Sequence, residues 1–425
     1  MKESQSLKFA GDVSIDKVQI ITSEGFYQDI AAQVINIQYY EDLFSPFISG
    51  SLVVKDSLDL VNLFPFVGEE YLELEVSTPS LTRGNIKGRY YIYKLSDREL
   101  LGDRSVVYQL HFISVEAIID MNKKLSKTFS GNIGKMVDHF VKDKVDGLQS
   151  DKKVYVEETI KDTKFISNFW SPVKCITYLS ETAVNREQSP SYLFFENRDG
   201  FYFITLNSLY GTQMYQEFTY DKYTRDNNPG AGSVRNINEE YKRISSISIP
   251  TGFDYIDRIK SGMISSKMIS WDQTNKSYAV KNYNMFDRFD KQNHLNKYPL
   301  SSGRSIFRSN SLIINFPRAF ANFAGFGDVT NYSTLQERLS LMKLAEANKI
   351  EITVPGRTDY TVGQKVGIIL NKIEPIKSEE DDVVDKMFSG YYLISAVNHY
   401  ITRESHECHM ELIKDSLQMN LDRKK

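Results

Sequence analysis

Four residues near the C-terminal end are of types that bind metals: His399, His406, Cys408 and His409. Side chains alternate along an extended chain, so His406 and Cys408 face one way and His409 the other. Ligands for zinc must converge on one point. Convergence is therefore not expected here, and the four read as polar strand positions. No H-E-x-x-H and no C-x-x-C pair accompanies them. The glycines of Pro229-Gly230-Ala231-Gly232 lack the Lys-Ser/Thr that completes a phosphate cradle. Glu379-Glu380-Asp381-Asp382 lacks the spacing of a calcium loop and reads as a solvated turn. No G-x-S-x-G elbow occurs. Carboxylates are plentiful, but nothing singles out a general acid and its partner. Trp170 and Trp271 could stack on sugars, yet beside apolar runs they read as core or interface anchors. No catalytic residue, metal ligand or cofactor is assigned, and the chain reads as a protein that is not an enzyme.

The elements around these residues point mainly to strands. In Glu70–Val76, Leu72, Leu74 and Val76 share one face and Tyr71, Glu73 and Glu75 the other. In Ser105–Ile113 the inward set is Val106, Tyr108, Leu110 and Phe112. Gln33–Tyr39 and Gly50–Asp56 are similar. Period-two alternation means one buried and one wet face, as in an antiparallel sheet or barrel. Aromatics at 12%, almost all Tyr and Phe, favour the same conclusion.

The period then lengthens. Ile133, Met136, Val137, Phe140, Val141 and Val145 recur at helical spacing, with Ser130 as the expected N-cap. A second helix opens at Ser171-Pro172, where Ser caps and Pro suits the first turn. Tyr192–Leu206 reads as a hairpin turning at Asn197-Arg198-Asp199-Gly200. Residues 221–329 are polar and aromatic without clear period, apart from a strand marked by Ile244, Ile247 and Ile249. Thr334 and Glu337 have capping-box spacing ahead of a stripe of Leu335, Leu339, Met342 and Ala345. Strands return at Lys349–Val354, Gln364–Leu370, Gly390–Ile401 and His406–Ile413. The two ends look alike. Gly88-Arg89-Tyr90-Tyr91-Ile92 aligns with Ser389-Gly390-Tyr391-Tyr392-Leu393, and each leads through a polar turn into an alternating strand.

With 425 residues, about two to four domains are expected. The net charge of −3 gives no general attraction to nucleic acid or anionic membrane. No signal segment and no run of about 18 apolar residues is seen. Cys175 and Cys408 make no disulfide framework and read as reduced thiols.

The order of features resembles the central baseplate hub protein of contractile-tailed bacteriophages and, more distantly, the N-terminal part of the type VI secretion spike protein VgrG. The first barrel of that family is matched by VINIQYYEDLFSPFISGSLVVKDS and GEEYLELEVS. FWSPVKCITYLSETAV and YLFFENRDGFYFITL look like its helix-and-hairpin insertion. SIPTGFDYIDRIKSGMISSKMISWD looks like the start of a second barrel. ERLSLMKLAEANKIEITVPGRTDYTVGQKVGIIL, GYYLISAVNHYI and HMELIKDSL look like its end.

The resemblance implies an α+β, mainly β fold: two similar antiparallel, tail-tube-like β-barrels with an inserted α+β domain, assembling into a trimeric ring. Its divisions would be a first barrel at 1–118, an α+β domain at 119–243 and a strand of the second barrel at 244–258. An irregular insertion packing on the α+β domain would follow at 259–332, then the second barrel at 333–416 and a tail at 417–425. It implies a structural hub that joins the six-fold tail tube to the three-fold central spike and forms part of the DNA ejection conduit. The implied partners are two further copies of the chain, the spike protein, tube or tube-initiator ring proteins and baseplate wedge proteins. DNA would pass a lumen of Asp, Glu, Ser and Asn without specific binding. The implied place is the virion tail baseplate, after assembly in the host cytoplasm. Tyr90, Tyr91 and Tyr93, with Tyr391, Tyr392 and Ile394, are the expected contacts between barrels. Phe289, Phe307 and Phe316, in the stretch Asp287–Phe326, are the expected contacts with other subunits or the spike. The alternatives are a tail-associated cell-wall or polysaccharide hydrolase and a glycan-binding tail protein, the latter using Tyr278, Tyr283, Phe286 and Phe289.

Overall fold

The computed structural model describes residues 7–63, 66–101, 105–160, 162–220, 236–251, 253–272, 276–302, 311–315, 334–372 and 384–421. Thirteen strands link into one sheet. Twelve of its strands divide into two six-stranded units of the same design, and the thirteenth, Tyr27–Asp29, pairs with Ser14–Ile21 at the end of the sheet. In chain order the first unit is Ser14–Ile21, Val34–Asp42, Ser49–Asp56, Tyr71–Ser77, Ile86–Leu100 and Val106–Ser114. The second is Met214–Tyr220, Ser246–Thr251, Lys349–Pro355, Lys365–Leu370, Gly390–Thr402 and His406–Ile413. In both, the spatial order runs second, third, sixth, fifth, fourth, first. One pairing differs in direction. Ser14–Ile21 lies antiparallel to Tyr71–Ser77, whereas Met214–Tyr220 lies parallel to Lys365–Leu370.

The likeness of the two ends is therefore architectural, but its register differs by one from the sequence alignment. Ile92 faces Phe112 and Ile394 faces Leu412, and the ladder slips just after each, at Tyr93 and at Ser395. Tyr90 thus corresponds to Tyr392 rather than Tyr391. Both are buried, at 3% and 0% exposure.

Each unit buries its inward alternation. Val18, Leu52, Val54, Leu72, Leu74, Leu110 and Phe112 belong to one core. Phe218, Ile352, Val354, Val366, Ile368, Met410 and Leu412 belong to the other. The units do not appear as two separately closed ladders among the described residues. Gly390–Thr402 takes Lys365–Leu370 along the first part of one edge and Val34–Asp42 along the rest, with the slip at Ser395 between them. A bulge bends a strand and re-aims its edge, so one long strand serves both neighbours.

The region between the units has its own core. Helices Ile133–Lys142 and Pro172–Thr182 pack with the hairpin Tyr192–Asn197 and Gly200–Thr205. Ser171 accepts the cap bond from Lys174 N at 3.3 Å, as its position before proline requires. Ser130 does not cap the earlier helix. It is spent in a ladder with Lys164, and Asn132 caps through Oδ1 to Gly134 N at 3.1 Å. A smaller core gathers Met263, Ile264, Met285, Leu300, Leu344 and Leu417.

Two readings of the later chain need correction. Ser265–Asp272 and Ser277–Asn284 form a regular hairpin where no period was visible. Leu335–Ala345 is a helix whose Thr334 side chain makes no cap bond, and the Glu337 carboxylate accepts from Gln292 Nε2 at 2.7 Å. Its buried face carries Gln336 and Ser340, while Leu339 is 40% exposed. Gln336 donates to Ser266 O at 2.9 Å and Ser340 to Met263 O, so this face docks through polar groups. Among the described residues no helix is long and apolar enough to cross a membrane.

Candidate functional site: the seam between the two units

The two units meet along an antiparallel ladder from Ala396↔Asp42 to Thr402↔Asn36, extended by Leu43 N donating to Ser395 O at 2.7 Å. Each side lends the other a side chain. Ile401 is buried in the core of the first unit, and Leu43 in that of the second. Separating the units would expose both, so the seam is continuous with the cores.

Polar groups lock the same seam. Glu41 is 1% exposed. It accepts from the Thr361 hydroxyl, from Val362 N at 3.2 Å and from Arg198 N at 2.9 Å. Burial raises its pKa, and the bonds from Thr361 and the nearby Arg198 pull it back. Arg198 comes from the turn of the middle hairpin and donates to Thr358 O and, at 3.4 Å, to Gly84 O. Thr78 and Thr358 exchange backbone-to-hydroxyl bonds of 3.3 and 3.0 Å. Glu196, from the same hairpin, binds Lys152 Nζ at 2.6 Å, Ser114 Oγ at 2.6 Å and Ile48 N at 3.1 Å. The hairpin thus anchors to both units.

The metal-type residues lie at this seam too, and here the sequence reading needs correcting. His406 and Cys408 share a face as expected, but the neighbouring strand brings His399 directly across from Cys408. His399 Nδ1 lies 3.0 Å from His406 Nε2, and Cys408 Sγ lies 3.3 and 3.5 Å from those two atoms. All three residues are buried, while His409 faces away to Thr353 Oγ1 at 3.0 Å. His399 Nε2 donates to Tyr360 O at 3.2 Å, which leaves Nδ1 as an acceptor for its neighbours. Burial holds both imidazoles well below their usual pKa, His406 at about 3, and pushes the Cys408 thiol up. The three are therefore neutral at neutral pH. Two imidazoles and a thiol are a donor set that suits a soft divalent ion. Without one they form a neutral hydrogen-bonded plug, and a thiol so far from ionisation is no nucleophile. A second group, His139, Asp143 and Asp146, is half-buried at the surface. Cys175 and Cys408 are free thiols in separate cores.

The residues singled out for assembly fall into four groups. Tyr90, Tyr392 and Ile394 are spent on the cores of their own units. Tyr93 and Tyr391 present 49% and 39% of their surface, and Tyr91 is half-buried beside Tyr71. Phe289 is 8% exposed and stacks on His294 at 3.7 Å. Phe307 and Phe316 lie outside the described residues, as do Glu379–Asp382. Glu41 and Thr358 carry no signal in the sequence, and Arg198 reads there only as a turn residue. Only the pairing of distant strands makes them neighbours, and no local spacing marks them.

No protein-family model matches the sequence, and no curated protein matches it. Solved structures do. The chain is similar to the tail protein from Neisseria meningitidis MC58, with a TM-score of 0.55 and 9% identity over 95% of this chain and 97% of that one. It is similar to the 43 kDa tail protein of prophage MuSo2 from Shewanella oneidensis, with a TM-score of 0.55 and 8% identity over 95% and 100%. A fainter likeness, TM-score 0.43 at 9% identity over 97% and 79%, is to an E. coli component of the type VI secretion system. The first two define the class: this chain has the fold of phage tail proteins. That agrees with the hub-like order of segments in its sequence.

Proposed function

We propose that the chain is the structural hub of a phage tail baseplate. Three copies form a ring that joins a six-fold tail tube to a three-fold spike and carries DNA through its lumen. The observation that supports this most is the repeated six-stranded unit. Three chains with two units each present six similar elements to the tube and three identical chains to the spike. Each unit supplies one barrel-like segment of the ring, and the middle region with the small fourth core forms the outer mass. The site chemistry fits an architectural role, since the His399–His406–Cys408 cluster is neutral and Glu41, Glu196 and Thr358 use their hydrogen bonds to tie separate elements together. The partners are the spike, the first tube ring and baseplate wedge proteins, and the place of action is the virion tail. The lumen is lined by Asp, Glu, Ser and Asn, because a basic lining would hold DNA at low salt.

Light scattering on a sizing column tests this, on the chain alone and mixed with a candidate spike protein. The expected mass is three times the 49.0 kDa chain, with or without the spike. A monomer in both samples overturns the hub.

A further inference from the structure

The seam inside the chain has a counterpart that the chain leaves open. Matching the units by their ladder partners makes Ala396–Ile401 equivalent to Lys94–Leu100, which carries one extra residue at its slip between Ser96 and Glu99. Ala396 faces Glu411 just past one bulge, as Lys94 faces His111 just past the other. The same matching makes Val34–Asp42 equivalent to Ser246–Thr251, since Ile37 faces Leu52 where Ile247 faces Ile352. In the seam these two kinds of edge are joined. Lys94–Leu100 and Ser246–Thr251 each have a ladder on one side only among the described residues. Six strands of the same sheet lie between them.

We infer that Ser246–Thr251 of one chain pairs antiparallel with Lys94–Leu100 of a second copy, repeating between chains the seam that exists within the chain. This rests on the ring reading above and names the edges that make it. The side chains match the place. In the seam Ile37 pairs with Ile401, and both are 0% exposed. Carrying that register over sets Ile247 beside Leu100. Leu100 is 82% exposed and Leu101 beside it 53%, and on the other edge Ile249 is 39% exposed. Leaving such side chains in water is unfavourable unless something covers them. The irregularities also match. One ladder slips between Ser96 and Glu99 and the other between Ser248 and Thr251, and the carried register sets the two slips opposite each other. Bulges and Pro250, which has no N–H, blunt these edges towards other partners. The contact joins unlike surfaces, so it propagates from chain to chain and closes when the rotation allows.

The test is a cysteine pair, Leu100→Cys with Ile247→Cys, in the full chain. The native thiols Cys175 and Cys408 are buried and give little background. Under mild oxidation the double variant is expected to give covalent trimers on a non-reducing gel. Equal amounts of the two single variants are expected to give covalent dimers, and neither single variant alone any product. A chain that is trimeric by light scattering yet forms no cross-link overturns this seam and leaves the ring standing. A chain that is monomeric alone and with the spike overturns both. Leu100→Lys keeps the test sound if the cysteine pair folds poorly. At that exposed position the thermal melt of the monomer should be unchanged while trimer dissociation rises at least ten-fold. An unchanged dilution profile would also overturn the seam.

Discussion

The two six-stranded units share an order of strands but fill their cores differently. At one matched position the first unit sets Gly50 against Phe112, and the second sets Ile350 against Leu412. A Cβ on Gly50 would fall 2.2 Å from the Phe112 ring and 2.4 Å from Gln38 O. One unit spends its volume on a single ring and the other divides it between two aliphatic chains. Similar architecture therefore does not require similar residues, only a similar sum of volumes in a matching alternation. That is consistent with a shared fold at 8–9% identity to the solved tail proteins.

The strongest way to break the comparison is to give the first unit the residue of the second. Gly50→Ile should cost about 4 kcal/mol or more, since both ring and backbone stand in the way. Adding Phe112→Leu should recover part of the loss, because the ring clash goes and the backbone contact stays. Denaturant melts of the single and double variants measure both. No recovery would mean that the units do not exchange volume at this position.

The second contrast is electrostatic. The second unit buries His399 and His406, and the first has Val106 and Tyr108 at the places of His406 and Cys408. The folded-state pKa of both histidines is depressed, so below about pH 6.5 the unfolded chain takes up protons that the folded chain refuses. Stability should then fall by up to about 1.4 kcal/mol per pH unit for each histidine, levelling for His406 near pH 3. His294 acts oppositely. Burial lowers its pKa, but Asp415 at 2.6 Å overrides this and raises it. Its contribution is present below the unfolded pKa and fades as pH rises through the folded value. Urea melts between pH 7 and pH 5 on the native chain and on His406→Leu should show the acid loss, with the variant losing about half the slope. An unchanged slope would place the acid sensitivity outside the seam.

The smallest expected effect sharpens the comparison most. Ile401 and Leu100 hold matched positions, one at 0% and one at 82% exposure. Ile401→Ala should cost about 2–4 kcal/mol, and Leu100→Ala less than about 0.5 kcal/mol, in melts of the dissociated chain. At concentrations where chains associate, Leu100→Ala should lower the melting temperature as well. Equal effects in both regimes would argue against a covered Leu100.

Much of this fold is legible locally. The alternation of Leu72, Leu74 and Val76 needs only one dry face and one wet face, and Ser171-Pro172 opens a helix by its own chemistry. Asn197–Gly200 turns a hairpin because Gly200 accepts a positive φ of 141°. These are effects of neighbours in the chain, and the sequence by itself determined them, along with the repeat and the absence of a recognisable catalytic motif. Tertiary structure alone decided which distant strands pair. That choice brings His399 across from Cys408, slides Tyr90 onto Tyr392 and buries Glu41 under Arg198. It also turns the polar face of Leu335–Ala345 inward and leaves Leu100 in water. The reason is physical: a strand carries donors and acceptors on both edges, and its own residues say little about which partner will take them.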